Sequence, residues 1–233
     1  LSGAVWLMGG AFAAATPVNY VIQISVDALR GDLLKNLVAN SPATYPNFAR
    51  LQAQSAYTYN ARTDYDTTVT IPNHASMITG RPLLNPAGGP NNVGHGYSND
   101  SPPAGDNLQD DGNPNVSYIA STFDIIHDNG LSTQLLASKT KFAFYVDSYD
   151  ATRGAPDLIG SDNGTDKIDY HQLTANSSAT VVNTLVANMS ANPYTYTFLH
   201  LLEPDAAGHA GGWGNDAWNS SVAVVDSRLG QIF

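Results

Sequence analysis

The sequence contains no cysteine and few cationic residues. Without cysteine, thiol catalysis, disulfide bonds and thiolate metal sites are excluded, so any metal ion must be bound by carboxylate, imidazole, hydroxyl or water ligands. Only 10 Lys and Arg residues stand against 20 Asp and Glu residues, which gives a formal net charge of -10. This charge argues against binding to a nucleic-acid duplex. An anionic small-molecule substrate would then need local positive charge, such as a metal ion.

No apolar run is long enough to cross a membrane, since a spanning helix needs about 20 residues. The longest run, Leu1 to Ala15, is rich in small residues and ends in Ala-Phe-Ala and Ala-Ala-Ala. This pattern is typical of the apolar region and cleavage end of a secretory signal. We therefore expect residues 1–15 to be the remnant of a signal peptide and the protein to be secreted or periplasmic, with a buried N-terminal element as the alternative.

Strand and helix patterns alternate along the rest of the chain, which predicts an α/β class with a mainly parallel central sheet and helices on both faces. Apolar runs predict strands at 20–27, 56–63, 132–137 and 194–202. Amphipathic or capped segments predict helices at 31–40, 45–53, 70–79, 118–129, 177–189 and 216–232. Residues 81–115 and 147–170 are polar and lack periodicity, so we expect surface loops there.

The helix predicted at residue 70 begins with a hydroxyl. Thr70 has the chemistry of an N-cap, Pro72 suits the first turn, and Gly80 is a typical stop signal. A helix N-terminus presents free N–H groups and the positive end of the helix dipole, which stabilise a phosphoryl oxygen or an alkoxide. Thr70 is therefore the candidate centre of reaction, although a capping threonine with no other role would show the same pattern.

Charged side chains follow three of the predicted strands. Asp27 closes the first, Lys139 and Lys141 follow the third, and Asp205 and His209 follow the last. Because the carboxyl ends of parallel strands meet at one edge of a sheet, we expect these groups to converge there. An Asp and a His four residues apart can reach one metal ion, while a second Asp and a threonine oxygen can hold another about 4 Å away.

The order of these motifs resembles the alkaline phosphatase superfamily, and within it the type I phosphodiesterase and nucleotide pyrophosphatase family. The resemblance covers about residues 20–233 and is carried by Val26-Asp27, Thr70-Ile71-Pro72-Asn73-His74, His95-Gly96 with Asn99, and Glu203-Pro204-Asp205 through Gly208-His209. It implies an alkaline-phosphatase-like fold and a hydrolase of phosphodiester or nucleotide pyrophosphate bonds that acts through a phosphothreonine. Residues 16–233 would then form part of such a domain.

The resemblance also implies roles for individual residues. Thr70 would be the nucleophile and, with Asp27, would bind one of two divalent metal ions, expected to be zinc. Asp205 and His209 would bind the other ion. Asn99 would contact a phosphoryl oxygen, with Asn91 and Asn92 as alternatives in the adjacent insertion.

The family completes its metal sites with an Asp-His pair and a further His, which would fall beyond residue 233. We therefore expect the domain to be incomplete at its C-terminus and this chain alone to bind zinc weakly and to turn over slowly or not at all. A non-catalytic binding domain is the alternative if the natural chain stops at Phe233.

Two classes of phosphate ester remain open as substrates. A threonine nucleophile with an asparagine contact resembles phosphodiesterases, whereas Lys139 and Lys141 resemble a cationic pair that some members direct at the extra charge of a monoester. An exported phosphate monoesterase is therefore the alternative enzyme. Lys141 lacks the bidentate geometry of an arginine, which weakens the second interpretation.

Overall fold

Four parallel strands form the central sheet in the part of the chain that the structure describes. The structure, a computed structural model, describes residues 18–65, 67–159 and 164–233, so the predicted signal remnant lies outside the described residues. The strands are β1 Val21–Val26, β2 Thr133–Ala137, β3 Tyr170–Leu173 and β4 Tyr196–Leu201. Their spatial order is β1-β4-β2-β3 and all neighbours are parallel, which confirms the predicted class.

Strand β4 lies between β1 and β2 and is buried along its whole length. Its side chains alternate between two apolar clusters, because successive residues of a strand point to opposite faces of the sheet. Phe198 packs on one face in the cluster that contains Leu135 of β2. Leu199 packs on the other face, in the cluster that contains Leu136. Both faces therefore require a covering layer.

Helices cover both faces, as predicted. Residues of α3, α5 and α6 join the first cluster, and residues of α7 and α9 join the second. None of the described helices is both long and apolar enough to cross a membrane. The helices are α1 Gly31–Asn40, α2 Pro46–Gln54, α3 Thr70–Thr79, α4 Leu108–Asp111, α5 Thr122–His127, α6 Ala143–Ser148, α7 Ser178–Ala191, α8 Glu203–Gly211 and α9 Asp216–Ile232.

Several boundaries differ from the sequence prediction. The strand predicted at 56–63 is wrong: the segment is irregular and mostly exposed, and its alternating Tyr57 and Tyr59 contact each other edge-to-face and bond to Gln52 of α2. Helix α5 begins only at Thr122, because Ser121 and Asp124 form a capping box there. The loop predicted at 81–115 contains the short α4, and the loop predicted at 147–170 contains the end of α6 and the start of β3. Helix α8 was not predicted.

Candidate active site

Helix α3 places Thr70 at its N-terminal end. Thr70 is the first helical residue and Val69 is the N-cap, without a side-chain capping bond, so the prediction that Thr70 caps the helix is wrong. Its hydroxyl instead donates to Oδ2 of Asp27 at 3.0 Å. The helix ends as predicted at Gly80, whose φ of 67° lies in the left-handed region that glycine adopts readily. Thr70 is thus held beside an acid rather than used as a cap.

Lys139 joins the two acids of the site. It follows β2, and its ammonium contacts Oδ2 of Asp27 and Oδ2 of Asp205 at 2.6 Å each. The same nitrogen lies 3.3 Å from the Thr70 hydroxyl oxygen. Asp27 directly follows β1, and Ala28 after it has a left-handed φ of 55°, an unfavourable conformation for a residue with a Cβ atom. The structure thus brings Asp27, Thr70, Lys139 and Asp205 together, as the strand ends predicted.

The charges in this cluster stabilise one another. Burial acts to raise the pKa of Asp27, but hydrogen bonding from His200 and the ammonium of Lys139 hold that pKa well below its usual range. Burial acts to lower the pKa of Lys139, but Asp27 and Asp205 raise it. Asp27 is therefore an ionised carboxylate and a weak base, and Lys139 is a cation at neutral pH.

Asp205 and His209 share one side of helix α8. They lie four residues apart, and His209 Nε2 is 3.4 Å from Asp205 Oδ1. The His209 side chain is 73% exposed and the Asp205 side chain only 15%. Because residues four apart are neighbours on a helix, the unpredicted helix explains how this pair can face one ion.

A cavity of about 430 Å³ lies in front of these groups. Lys141 lines it and is paired with Asp100: its ammonium lies 2.7 Å from Asp100 Oδ2. Asn99 does not line the cavity, and its side-chain oxygen accepts the N–H of Ser101 at 3.0 Å. The cavity wall includes Thr70, Asp100, Lys139, Lys141, Asp205 and His209. The structure therefore places every predicted site residue at the cavity or beside it, except Asn99 and its alternatives Asn91 and Asn92, which do not line the cavity.

Two buried histidines support the site from behind. His200 of β4 was not predicted; its Nε2 lies 3.4 Å from Asp27 Oδ2, and burial lowers its pKa. It is the last residue of β4 that points to this face of the sheet. Its position beside Asp27 could be recognised only after the bounds and neighbours of β4 were known. His74 contacts the Thr70 carbonyl at 2.7 Å and the Ser25 hydroxyl at 2.8 Å, and burial lowers its pKa to about 4. Since a carbonyl only accepts, Nδ1 of His74 carries the proton.

The side chains at the site are of the chemical types that bind divalent metal ions, since they offer carboxylate oxygens, a hydroxyl oxygen and an imidazole nitrogen. They form two pairs, Asp27 with Thr70 and Asp205 with His209. Among the described residues no group of three or more His, Asp or Glu side chains is arranged to hold an ion. Each pair thus supplies fewer protein ligands than the three of a typical catalytic zinc site.

Comparisons with known proteins give a partial sequence match. The sequence model of the type I phosphodiesterase / nucleotide pyrophosphatase family matches residues 21–84, a segment that contains Asp27 and Thr70. No curated protein sequence matches the chain at a significant level. The family match thus includes Asp27 and Thr70 but not Lys139, Asp205 or His209.

Solved structures match nearly the whole chain. Murine ectonucleotide pyrophosphatase / phosphodiesterase 5, as an inactive variant in complex with AMP, is 18% identical with a TM-score of 0.58, and the match covers 91% of this chain and 50% of that one. Phosphonoacetate hydrolase from Sinorhizobium meliloti, in complex with phosphonoformate, is 15% identical with a TM-score of 0.54, covering 93% and 53%. At these identities the likeness shows the fold, and this chain spans about half the length of either structure.

The resemblance seen in the sequence is thereby confirmed. Residues 21–84 match the type I phosphodiesterase / nucleotide pyrophosphatase family model, and the described chain has the fold of the two solved structures.

Proposed function

We propose that this chain carries the nucleophile of a hydrolase that cleaves phosphodiester or nucleotide pyrophosphate bonds through a phosphothreonine at Thr70. The observation that carries the proposal is the position of the Thr70 hydroxyl, at the N-terminus of α3 and within hydrogen-bonding reach of Asp27 and Lys139. The family match and the AMP bound to the murine relative support a nucleotide or another small phosphate ester as the ligand.

In this mechanism the Thr70 oxygen attacks phosphorus and its proton passes to solvent, while the bond from phosphorus to the leaving-group oxygen breaks with its electron pair and that oxygen is protonated by solvent. Water then attacks the phosphothreonine, the bond from phosphorus to the Thr70 oxygen breaks, and the phosphate product leaves as the threonine takes up a proton. Asp27 orients the nucleophile through the 3.0 Å hydrogen bond. The positive end of the α3 dipole favours the negative charge that develops on the phosphoryl oxygens.

Two divalent metal ions form part of the proposal. Asp27 and Thr70 would hold one, and Asp205 and His209 the other, together with ligands outside these pairs. Such ions would lower the pKa of the threonine hydroxyl and neutralise charge on the leaving group. Zinc is the expected metal from the resemblance, while the donor types would also suit manganese or iron.

The test compares two threonines of the same helix in the full-length protein. Thr70→Ala should abolish both turnover of bis-p-nitrophenyl phosphate and the phosphorylated peptide recovered by acid quench and mass spectrometry. Thr79→Ala is the matched control, because Thr79 lies at the other end of α3, where its hydroxyl bonds to the Ala75 carbonyl and the Arg81 N–H. A normal burst of product from Thr70→Ala would rule out the nucleophile assignment.

A phosphate monoesterase is the second candidate, because Lys139 and Lys141 both line the cavity and two cations could neutralise the extra charge of a monoester. The ratio of turnover of bis-p-nitrophenyl phosphate to that of p-nitrophenyl phosphate separates the two candidates. Under the second, Lys139→Ala should lower monoester turnover selectively, whereas an equal loss on both substrates would contradict it.

Export remains part of the proposal and is supported by the composition of residues 1–15. Cell fractionation and N-terminal sequencing of the mature protein test it. A mature N-terminus near residue 16 in the secreted or periplasmic fraction is expected, and retention of the run in a cytoplasmic protein would contradict it.

A further inference from the structure

Asp100 contacts two donors beside Thr70 that could otherwise bind an anionic ligand. Its Oδ1 accepts the N–H of Ile71 at 2.8 Å, at the N-terminus of α3 and directly after Thr70. Its Oδ2 and its carbonyl oxygen both accept from the Lys141 ammonium, at 2.7 and 2.8 Å. A backbone N–H at a helix start and an ammonium are the donors that bind phosphoryl oxygens in proteins. Asp100 therefore already fills an anion subsite beside the nucleophile.

The ion pair with Asp100 neutralises positive charge that would otherwise be available to an anionic substrate. Lys141 is neutralised by Asp100, and Lys139 is shared between Asp27 and Asp205. Neither lysine is then free to balance a second negative charge on a ligand. The Asp100 side chain is one-third exposed, so its charge is partly screened but still faces the cavity.

We propose that Asp100 is a specificity-determining residue that makes the cavity select monoanionic phosphodiesters over dianionic monoesters. This inference rests on the proposed function. A diester has one negative charge on the phosphoryl group and a monoester has two at mildly alkaline pH. Repulsion by the Asp100 carboxylate thus acts on one extra unit of charge in the monoester.

Removal of this carboxylate has a predictable effect. Asp100→Asn keeps an oxygen that can accept the Ile71 N–H but removes the charge, which frees Lys141 for the ligand. Because a unit charge about 4 Å away is worth a large factor in binding even near a surface, we expect the preference to shift toward the dianion by about 10- to 100-fold. The lower end is expected, since Asp100 is partly exposed.

The experiment measures binding to the full-length protein by calorimetry at about pH 8, with inorganic phosphate as the dianion and dimethyl phosphate as the monoanion. Asp100→Asn should gain affinity for phosphate relative to dimethyl phosphate. Asp111→Asn is the matched control: it removes the same charge from the same loop region, but its carboxylate does not line the cavity and accepts the Asn107 N–H. Lys141→Met in the Asp100→Asn background should reverse the gain.

The outcomes separate this inference from the proposed function, because the binding ratio does not depend on turnover. An equal gain for both ligands, an equal change in Asp111→Asn, or no phosphate binding to Asp100→Asn would each overturn the role of Asp100. If instead no phosphothreonine forms at Thr70 but Asp100→Asn still shifts the binding ratio as expected, the proposed chemistry is contradicted and the charge selection by Asp100 stands.

Discussion

Protonation of His95 should weaken the anchoring of the loop that carries Asp100. The His95 ring is fully buried, and its Nδ1 accepts the N–H of Tyr97 at 3.2 Å. Nδ1 is therefore unprotonated, and Nε2 donates to the Ser76 hydroxyl of α3 at 3.1 Å. A second proton on the ring would sit on Nδ1, so that an N–H group of His95 would face the N–H group of Tyr97 and the hydrogen bond between them would be lost. Acid should thus break the link between the loop and the helix.

The size of this effect follows from the pKa of His95, which burial lowers from 6.5 to about 4. The unfolded chain takes up the proton at higher pH than the folded protein does, so the unfolded state binds more protons as the pH falls below 6.5, and stability decreases. The loss is complete only below the folded pKa and then amounts to roughly 3 kcal/mol. Between about pH 7 and pH 5 it amounts to roughly 2 kcal/mol.

Urea unfolding of the wild type and His95→Asn at these two pH values measures the loss. The asparagine oxygen can still accept the Tyr97 N–H, but the side chain does not titrate. The variant should be less stable at neutral pH because it loses ring packing and the Ser76 bond, and it should lose roughly 2 kcal/mol less than the wild type on acidification. His74 has a similar pKa of about 4 and contributes equally to both proteins. Parallel pH profiles would refute the role of His95.

Two further substitutions test the anchoring of α2 and the charge balance of the site. Asp226 is buried, and its carboxylate accepts the N–H groups of Asn47 and Phe48 at 2.8 to 3.2 Å. Asp226→Ala should therefore lower the free energy of unfolding by about 3 kcal/mol, because it leaves those donors without a partner; a loss below roughly 0.5 kcal/mol in urea unfolding would contradict this. Lys139→Met should tighten zinc binding about 10-fold in calorimetry, because the ammonium no longer competes for Asp27 and Asp205, and unchanged affinity would contradict that competition.

Local sequence signals predicted most of the elements, because each depends on residues close together in the chain. The apolar spacing of Ile71, Ala75 and Ile78 with Gly80 after them located α3, and the apolar run before Asp27 located β1. Helix α8 was missed because Glu203 to Gly211 has small and polar residues in place of an apolar stripe. The pairing of Asp100 with Ile71 and Lys141 was also beyond local reasoning, since its partners lie 29 and 41 residues away. The motif alone predicted a ligand contact for Asn99, the residue before Asp100, and gave no role to Asp100.

The strand order decides which charges meet, and that order is not encoded in any single motif. Strand β4 lies between β1 and β2, so Asp27 and Lys139 follow strands on either side of the one that leads to Asp205. Lys139 therefore reaches across the end of β4 to contact Asp27, which is 112 residues away in sequence, and Asp205, which is 66 residues away. The sheet order thus places one cation between two acids at this edge of an anionic chain, where the proposed phosphate ester would bind.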